Sequence, residues 1–140
     1  MARRIQSVSR LKKELDKVYS HYIRLKECLE TTGNPNQGIC FTCGTRHDFK
    51  NLQCGHYIPR NHNSTRYYEK NTHIQDVRCN IFLRGNLDVY ALSLISKYGD
   101  GILDELNKMK NTIKNFTKDE LLLLIHNYKQ KLRKLEETYA

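Results

Sequence analysis

At 140 residues the chain has enough sequence for one domain with a modest core, not for two independent ones. A hydrophobic fraction of 39% beside 28% charged residues excludes a disordered chain, and the longest apolar run, Leu121–Ile125, is too short to span a membrane. The formal net charge of +9, from 24 Lys and Arg against 15 Asp and Glu, favours a polyanionic partner, nucleic acid first; a basic surface with no specific ligand is the alternative.

Five cysteines cannot all pair, and Cys40 and Cys43 stand at C-x2-C spacing, so metal binding in a reducing compartment fits better than a disulfide framework. The expected location is the cytoplasm. The opening M-A-R-R-I-Q runs into Ser, Arg and Lys rather than an apolar core, so no signal peptide is expected.

In chain order, Leu11, Leu15, Val18, Tyr22, Leu25 and Leu29 step by four and three, which predicts a long amphipathic helix over 8–31, capped by Ser7 or Ser9 and stopped at Gly33-Asn34-Pro35. Its stripe could pack on its own domain, form the core face of a DNA-contacting arm, or line a dimer seam. Gly38 opens a central module over 38–98. Leu52–Ile58 reads as a strand or hairpin arm carrying His56, and Pro59–Lys70 as a loop. Arg60, Arg66, Tyr67, Tyr68 and Lys70 interleave charge and aromaticity in that loop, suited to phosphates and unpaired bases, or merely solvated. Asp76–Arg84 reads as a short helix, and Asn86 as the cap of another with Leu87, Ala91, Leu94, Ile95 and Tyr98 on one face. Over 99–140 a helical extension follows: a short piece at Ile102–Met109, then a helix started by a Thr117–Glu120 capping box with a Phe116 staple. Its stripe of Leu121, Ile125, Tyr128, Leu132, Leu135 and Tyr139 matches that of the first helix, so the two pair with each other or across a homodimer.

The chemistry concentrates between Cys40 and Asn80. Asp76 and Cys79 repeat the spacing of Cys40 and Cys43 with one thiolate exchanged for a carboxylate, a zinc-ribbon pattern with one altered ligand. The order His56, Asn71, Asn80 suggests an HNH-type metal nuclease. Phosphodiester hydrolysis needs an activated water, neutralised phosphate charge and a cation near the leaving oxygen. His56 suits the general base and Asn80 a hard oxygen ligand for Mg2+ or Mn2+. Asn71 would hold the loop and orient His56, while His73 could be a second metal ligand or a phosphate contact. A zinc ribbon that only scaffolds is the bland alternative.

The stretches "CFTCG", "LQCGHYIPR", "STRYYEKN", "THIQDVRCN" and "GNLDVYALSLISKYG" make the chain similar to the NinG (Rap) recombination proteins of phages and prophages, within the HNH superfamily, with weaker likeness reaching the terminal helices. The resemblance implies an α+β, mainly helical fold: a small ββα-metal core with a zinc knuckle, flanked by long amphipathic helices. It further implies DNA as partner, branched or partly single-stranded, with His56 as base, Asn71 as the middle Asn and Asn80 as the last metal ligand. Cys40, Cys43 and Cys79 would hold zinc. Two positions depart from the pattern. Gly55 precedes the base where many HNH enzymes have Asp or His, and Asp76 stands where the family has cysteine. Cys54 is a spare thiol, either a rescuing ligand or a small buried hydrophobe. The leading expectation is a DNA endonuclease; the others are a non-catalytic zinc-stabilised DNA-binding module and a dimeric helical adaptor.

Overall fold

The computed structural model describes residues 6–139. Helix α1, Val8–Thr32, starts where the Ser7 side chain accepts the Arg10 N–H at 3.2 Å. It ends at Gly33, whose φ of +73° favours glycine and lets its N–H return to the Leu29 carbonyl. Leu11, Leu15, Tyr19 and Ile23 form its buried ridge, against which α5, Lys118–Glu137, lays Leu121, Ile125 and Tyr128. The two terminal stripes therefore pair within the chain. The ridge follows steps of four, so Tyr19 and Ile23 occupy its centre while Val18 and Tyr22 fall to its margin. The capping box of α5 is present as expected, and Phe116 packs against the α1–α5 core.

In chain order two small antiparallel sheets follow α1, giving an α+β fold. Strands β1, Gln37–Ile39, and β2, Arg46–Asp48, form a hairpin whose loop carries Cys40 and Cys43. Strand β3, Leu52–His56, pairs with β4, Thr72–Asp76, in a register running from Leu52↔Asp76 to His56↔Thr72. Two-stranded sheets of this length are marginal alone, and α1 braces them: Cys28 packs with Leu52 and Ile74. Glu27, from the same helix, accepts the Ile74 N–H at 3.0 Å and pairs with His73 Nδ1 at 2.7 Å inside the core. A second cluster joins Ile58 to Tyr90 and Leu94 of α3, Leu87–Tyr98, and to Ile102 and Leu106 of α4, Ile102–Lys110.

Four local expectations are corrected. Asp76 is the last residue of β4 rather than the start of a helix; its Oδ1 accepts the Cys79 N–H at 2.7 Å, and the chain then makes a wide π-helical turn over Arg78–Phe82. Asn86 precedes α3 in the left-handed region, φ +49°, but its amide does not cap the helix; Nδ2 points at Cys79 Sγ, 3.6 Å away. The face α3 buries is set by Tyr90 and Leu94, while Leu87 lies on the surface. Pro59–Lys70 is no open loop: it holds the short helix α2, Asn63–Arg66, and its end runs into a 3-10 turn at Glu69–Asn71. No described helix is long and apolar enough to cross a membrane.

The Glu27 carboxylate, 3% exposed, serves two buried partners. Glu27→Ala leaves the Ile74 N–H and His73 Nδ1 unpaired in the core, and should cost roughly 3–5 kcal/mol in denaturant unfolding; a loss near that of a surface substitution would contradict this role.

Candidate functional site

The hairpin loop brings Cys40 and Cys43 to one point by a tight turn in which Gly44, at φ +73°, returns its N–H to the Cys40 carbonyl. A Phe41 N–H bond to the Ile74 carbonyl, 2.8 Å, fixes this knuckle on β4. Asp76 arrives from the end of that strand and Cys79 from the π-helical turn. Three sulfurs and one carboxylate oxygen then lie within 4.8 Å of one another. A tetrahedral ion with metal–sulfur bonds of about 2.3 Å needs ligand atoms about 3.8 Å apart, so small side-chain adjustments seat one.

The surroundings suit thiolates. Cys40 Sγ faces the Asp76 N–H and the Thr42 hydroxyl, both at 3.4 Å; Cys43 Sγ faces the Thr45 hydroxyl at 3.0 Å; Cys79 Sγ faces the Asn86 amide. Without a metal, burial and the neighbouring Asp76 carboxylate push the Cys43 thiol up to about 12. Burial alone would raise Asp76 as well, but hydrogen bonds from the Cys43 thiol and the Cys79 backbone outweigh it and hold the carboxyl at about 2. A metal entering the site would displace the thiol protons. His47 was not anticipated: its Nε2 lies 3.0 Å from Asp76 Oδ2 and 2.7 Å from the Thr45 hydroxyl, the position of an outer partner that orients a ligating carboxylate. Its only sequence signal is its place four residues beyond Cys43. Cys54 is not part of the cluster. It packs beside the α1–α5 core, where burial pushes its thiol well up, and so behaves as a small hydrophobe rather than a rescuing ligand.

Next to this cluster a cleft of 570 Å3 opens between α1, β3 and the π-helical turn. His56 and Asn80 both line it, together with Gln53, Arg24, Arg60 and Arg84. His56 Nε2 lies 2.9 Å from the Arg66 carbonyl. A carbonyl only accepts, so Nε2 carries the proton and Nδ1 keeps the lone pair. Burial lowers the His56 pKa below the ordinary imidazole value of 6.5, favouring the neutral ring. Asn80 donates through Nδ2 to Gln53 Oε1 at 2.7 Å, which orients its amide and leaves Oδ1 to face other ligands.

Asn71 is wholly buried. Its Oδ1 accepts the Ile58 N–H, and its Nδ2 donates to the carbonyls of Ile58 and Thr65, so it clamps α2 onto the end of β3. It holds the loop, as expected, but acts on His56 only through that backbone. His73 is corrected: 1% exposed, stacked on Phe41 at 3.9 Å and bonded to Glu27 and the Tyr98 hydroxyl, it is a core residue that reaches neither cluster nor cleft. The basic segment is also engaged within the chain. Arg66 pairs with Asp16, Tyr67 donates its hydroxyl to Asp16 and packs edge-on against Tyr19, and Tyr68 and Lys70 meet Glu105. Of that set only Arg60 lines the cleft; its guanidinium lies 3.8 Å from Asp16, which lines the same cleft, and most of its side chain is exposed. Arg24 and Arg84 were not singled out as DNA contacts, because each lies in a different element and only the fold brings them together.

The family model described as "Bacteriophage Lambda NinG protein" matches residues 2–138. The chain belongs to the NinG family. Protein ninG of Escherichia phage lambda is 33% identical over 104 residues, 71% of this chain and 48% of that protein. Protein ninG of Escherichia phage 933W and of Enterobacteria phage VT2-Sa are each 32% identical over 104 residues, 49% of their length. The chain thus spans about half the length of the curated relatives it matches. No solved structure gives a significant match.

Gly55, the departure beside His56, has a steric cause in this NinG-family chain. A Cβ there would overlap the Gln75 amide, whose Nε2 is tied to the Gly85 carbonyl at 2.8 Å and to Thr42. Gln75 therefore fills the volume that a side chain at 55 would occupy. Gly55→Ala should destabilise the fold by about 1–3 kcal/mol through overpacking; a thermal melt showing stabilisation would contradict it.

Proposed function

We propose that this chain is a metal-dependent DNA endonuclease built on a ββα-metal core of the HNH type, with a structural zinc and a separate catalytic Mg2+ or Mn2+. The observation that carries this reading is one cleft lined by His56, Asn80 and three arginines. Zinc suits the cluster of Cys40, Cys43, Cys79 and Asp76, since it accepts thiolate and carboxylate together at four-coordinate sites. The proposed substrate is DNA, branched or partly single-stranded, in phage recombination; the family resemblance supports the branching and the recombination context.

In this reading His56 takes a proton from water through Nδ1, because Nε2 is committed to the Arg66 carbonyl. Arg24, Arg60 and Arg84 bind the phosphates that flank the scissile bond and draw the polyanion into the cleft. Asn80 Oδ1, aimed by Gln53, is the protein ligand for the catalytic cation. That cation, when bound, supplies charge neutralisation at the phosphate and the leaving oxygen. Asn71 keeps α2 against β3, so the carbonyl that fixes the His56 tautomer stays in place.

The test is cleavage of matched linear, forked and four-way DNA in Mg2+ or Mn2+. His56→Ala should lower the rate by about 10²-fold or more, the usual contribution of a general base, while DNA affinity and folding stay near wild type. Because burial keeps His56 neutral to lower pH, the acid limb of the rate profile should lie below pH 6.5. Unchanged cutting by His56→Ala would overturn the assignment, and binding without any cleavage by the wild type would leave a non-catalytic DNA-binding module.

A further inference from the structure

The π-helical turn after β4 does more than deliver Cys79 and Asn80. It exposes three consecutive large apolar side chains: Ile81 at 55%, Phe82 at 76% and Leu83 at 40%. Arg84 follows them directly, and Arg78 precedes them by three residues. Soluble chains seldom expose such a run without an occupant.

The turn is also stiff. The N–H groups of Leu83, Arg84, Gly85 and Asn86 return to the carbonyls of Arg78, Ile81, Cys79 and Leu83. Arg84 and Asn86 adopt φ of +50° and +49°, in the left-handed region that non-glycine residues rarely occupy, on either side of Gly85. Such backbone persists only where its surroundings over-determine it, and here Cys79 anchors one side of the turn in the thiolate cluster while Gln75 holds the Gly85 carbonyl. The apolar tip is thus presented on a braced support.

We propose that Ile81 and Phe82 form a wedge that takes unpaired or unstacked bases of DNA at a branch point, beside the strand whose phosphates enter the cleft. This rests on the reading of the cleft as a DNA site. Two observations select DNA over a second copy of the chain. The apolar tip is bracketed by Arg78 and Arg84, so two copies meeting through it would bring like charges together, whereas a polyanion satisfies both. Ile81 and Arg84 also line the same cleft as His56, so the wedge and the phosphate-binding wall are one continuous surface. Apolar side chains that enter a base step unstack it, and aromatic faces hold unpaired bases without regard to sequence. Duplex ends and uninterrupted duplex offer the wedge little, while a fork offers it bases already free of partners. Branch preference then follows from Phe82 rather than from Tyr67 and Tyr68, which the fold has already committed to Asp16 and Glu105.

The experiment reads binding, not cleavage, in the full chain carrying His56→Ala, using a forked oligonucleotide with 2-aminopurine at the first unpaired position and a matched duplex. Phe82→Ala should weaken fork binding about tenfold, change duplex binding by less than about twofold and abolish the fluorescence change at the probe, in keeping with the usual worth of one stacked base. Phe82→Tyr should retain all three properties, and melting temperatures should be unchanged because the side chain is exposed. Equal losses on fork and duplex, no loss on either, or a dimer of the free protein that Phe82→Ala dissolves would overturn the wedge. A wild type that binds forks through Phe82 yet never cuts them would overturn the nuclease reading and leave the wedge standing.

Discussion

The structure depends on three thiols and a carboxylate drawn to one point by a hairpin loop, a strand end and a wide turn. None of the elements that supply them is stable alone: β1 and β2 have three residues each, β3 and β4 five. Three thiolates and a carboxylate at one point repel one another unless a cation neutralises them, so a metal seated here would contribute its binding energy to folding. The same cluster fixes Cys79, and with it Asn80 and the apolar tip one turn further on. Stability and site geometry therefore share a cause.

A second network complements it from α1. Burial alone would raise the Asp16 carboxyl, but hydrogen bonds from Arg66 and the Tyr67 hydroxyl outweigh it and hold it below its usual range. That carboxylate pins Arg66, whose carbonyl in turn fixes the proton on His56 Nε2. The terminal helices are thus more than a frame: α5 holds α1 in place, and α1 supplies Glu27 to the core, Asp16 to the His56 support and Arg24 to the cleft wall. Of the charge that suggested a nucleic-acid partner, Arg24, Arg60 and Arg84 line the cleft, while the basic segment 66–70 neutralises acids of its own chain.

Much of this was legible in the sequence, for reasons that differ by element. The long helices announced themselves by periodicity and caps, and the Thr117–Glu120 box is present because local hydrogen bonding determines it. The four members of the cluster were legible because ligand spacing is itself local: three positions apart in the knuckle and three again across the turn. Residues whose roles come from tertiary placement were not. His73 is polar and lies between Asn71 and Asp76, so sequence proximity suggested a site residue; strand alternation and Glu27, forty-six positions away, make it a core group. Tyr67 and Arg66 looked like an open basic-aromatic loop because Asp16 is fifty residues distant in sequence. Gly55 looked like a missing ligand, and only the position of Gln75 shows why a side chain does not fit there.

The claim that one metal at Cys40, Cys43, Cys79 and Asp76 organises both fold and site is tested most directly by X-ray absorption at the zinc edge on protein purified without added metal. The account predicts one zinc per chain with three sulfur neighbours at about 2.3 Å and one oxygen at about 2.0–2.2 Å, the oxygen neighbour giving way to a fourth sulfur in Asp76→Cys. A shell of nitrogen and oxygen alone, or protein that is folded and free of metal, would contradict it.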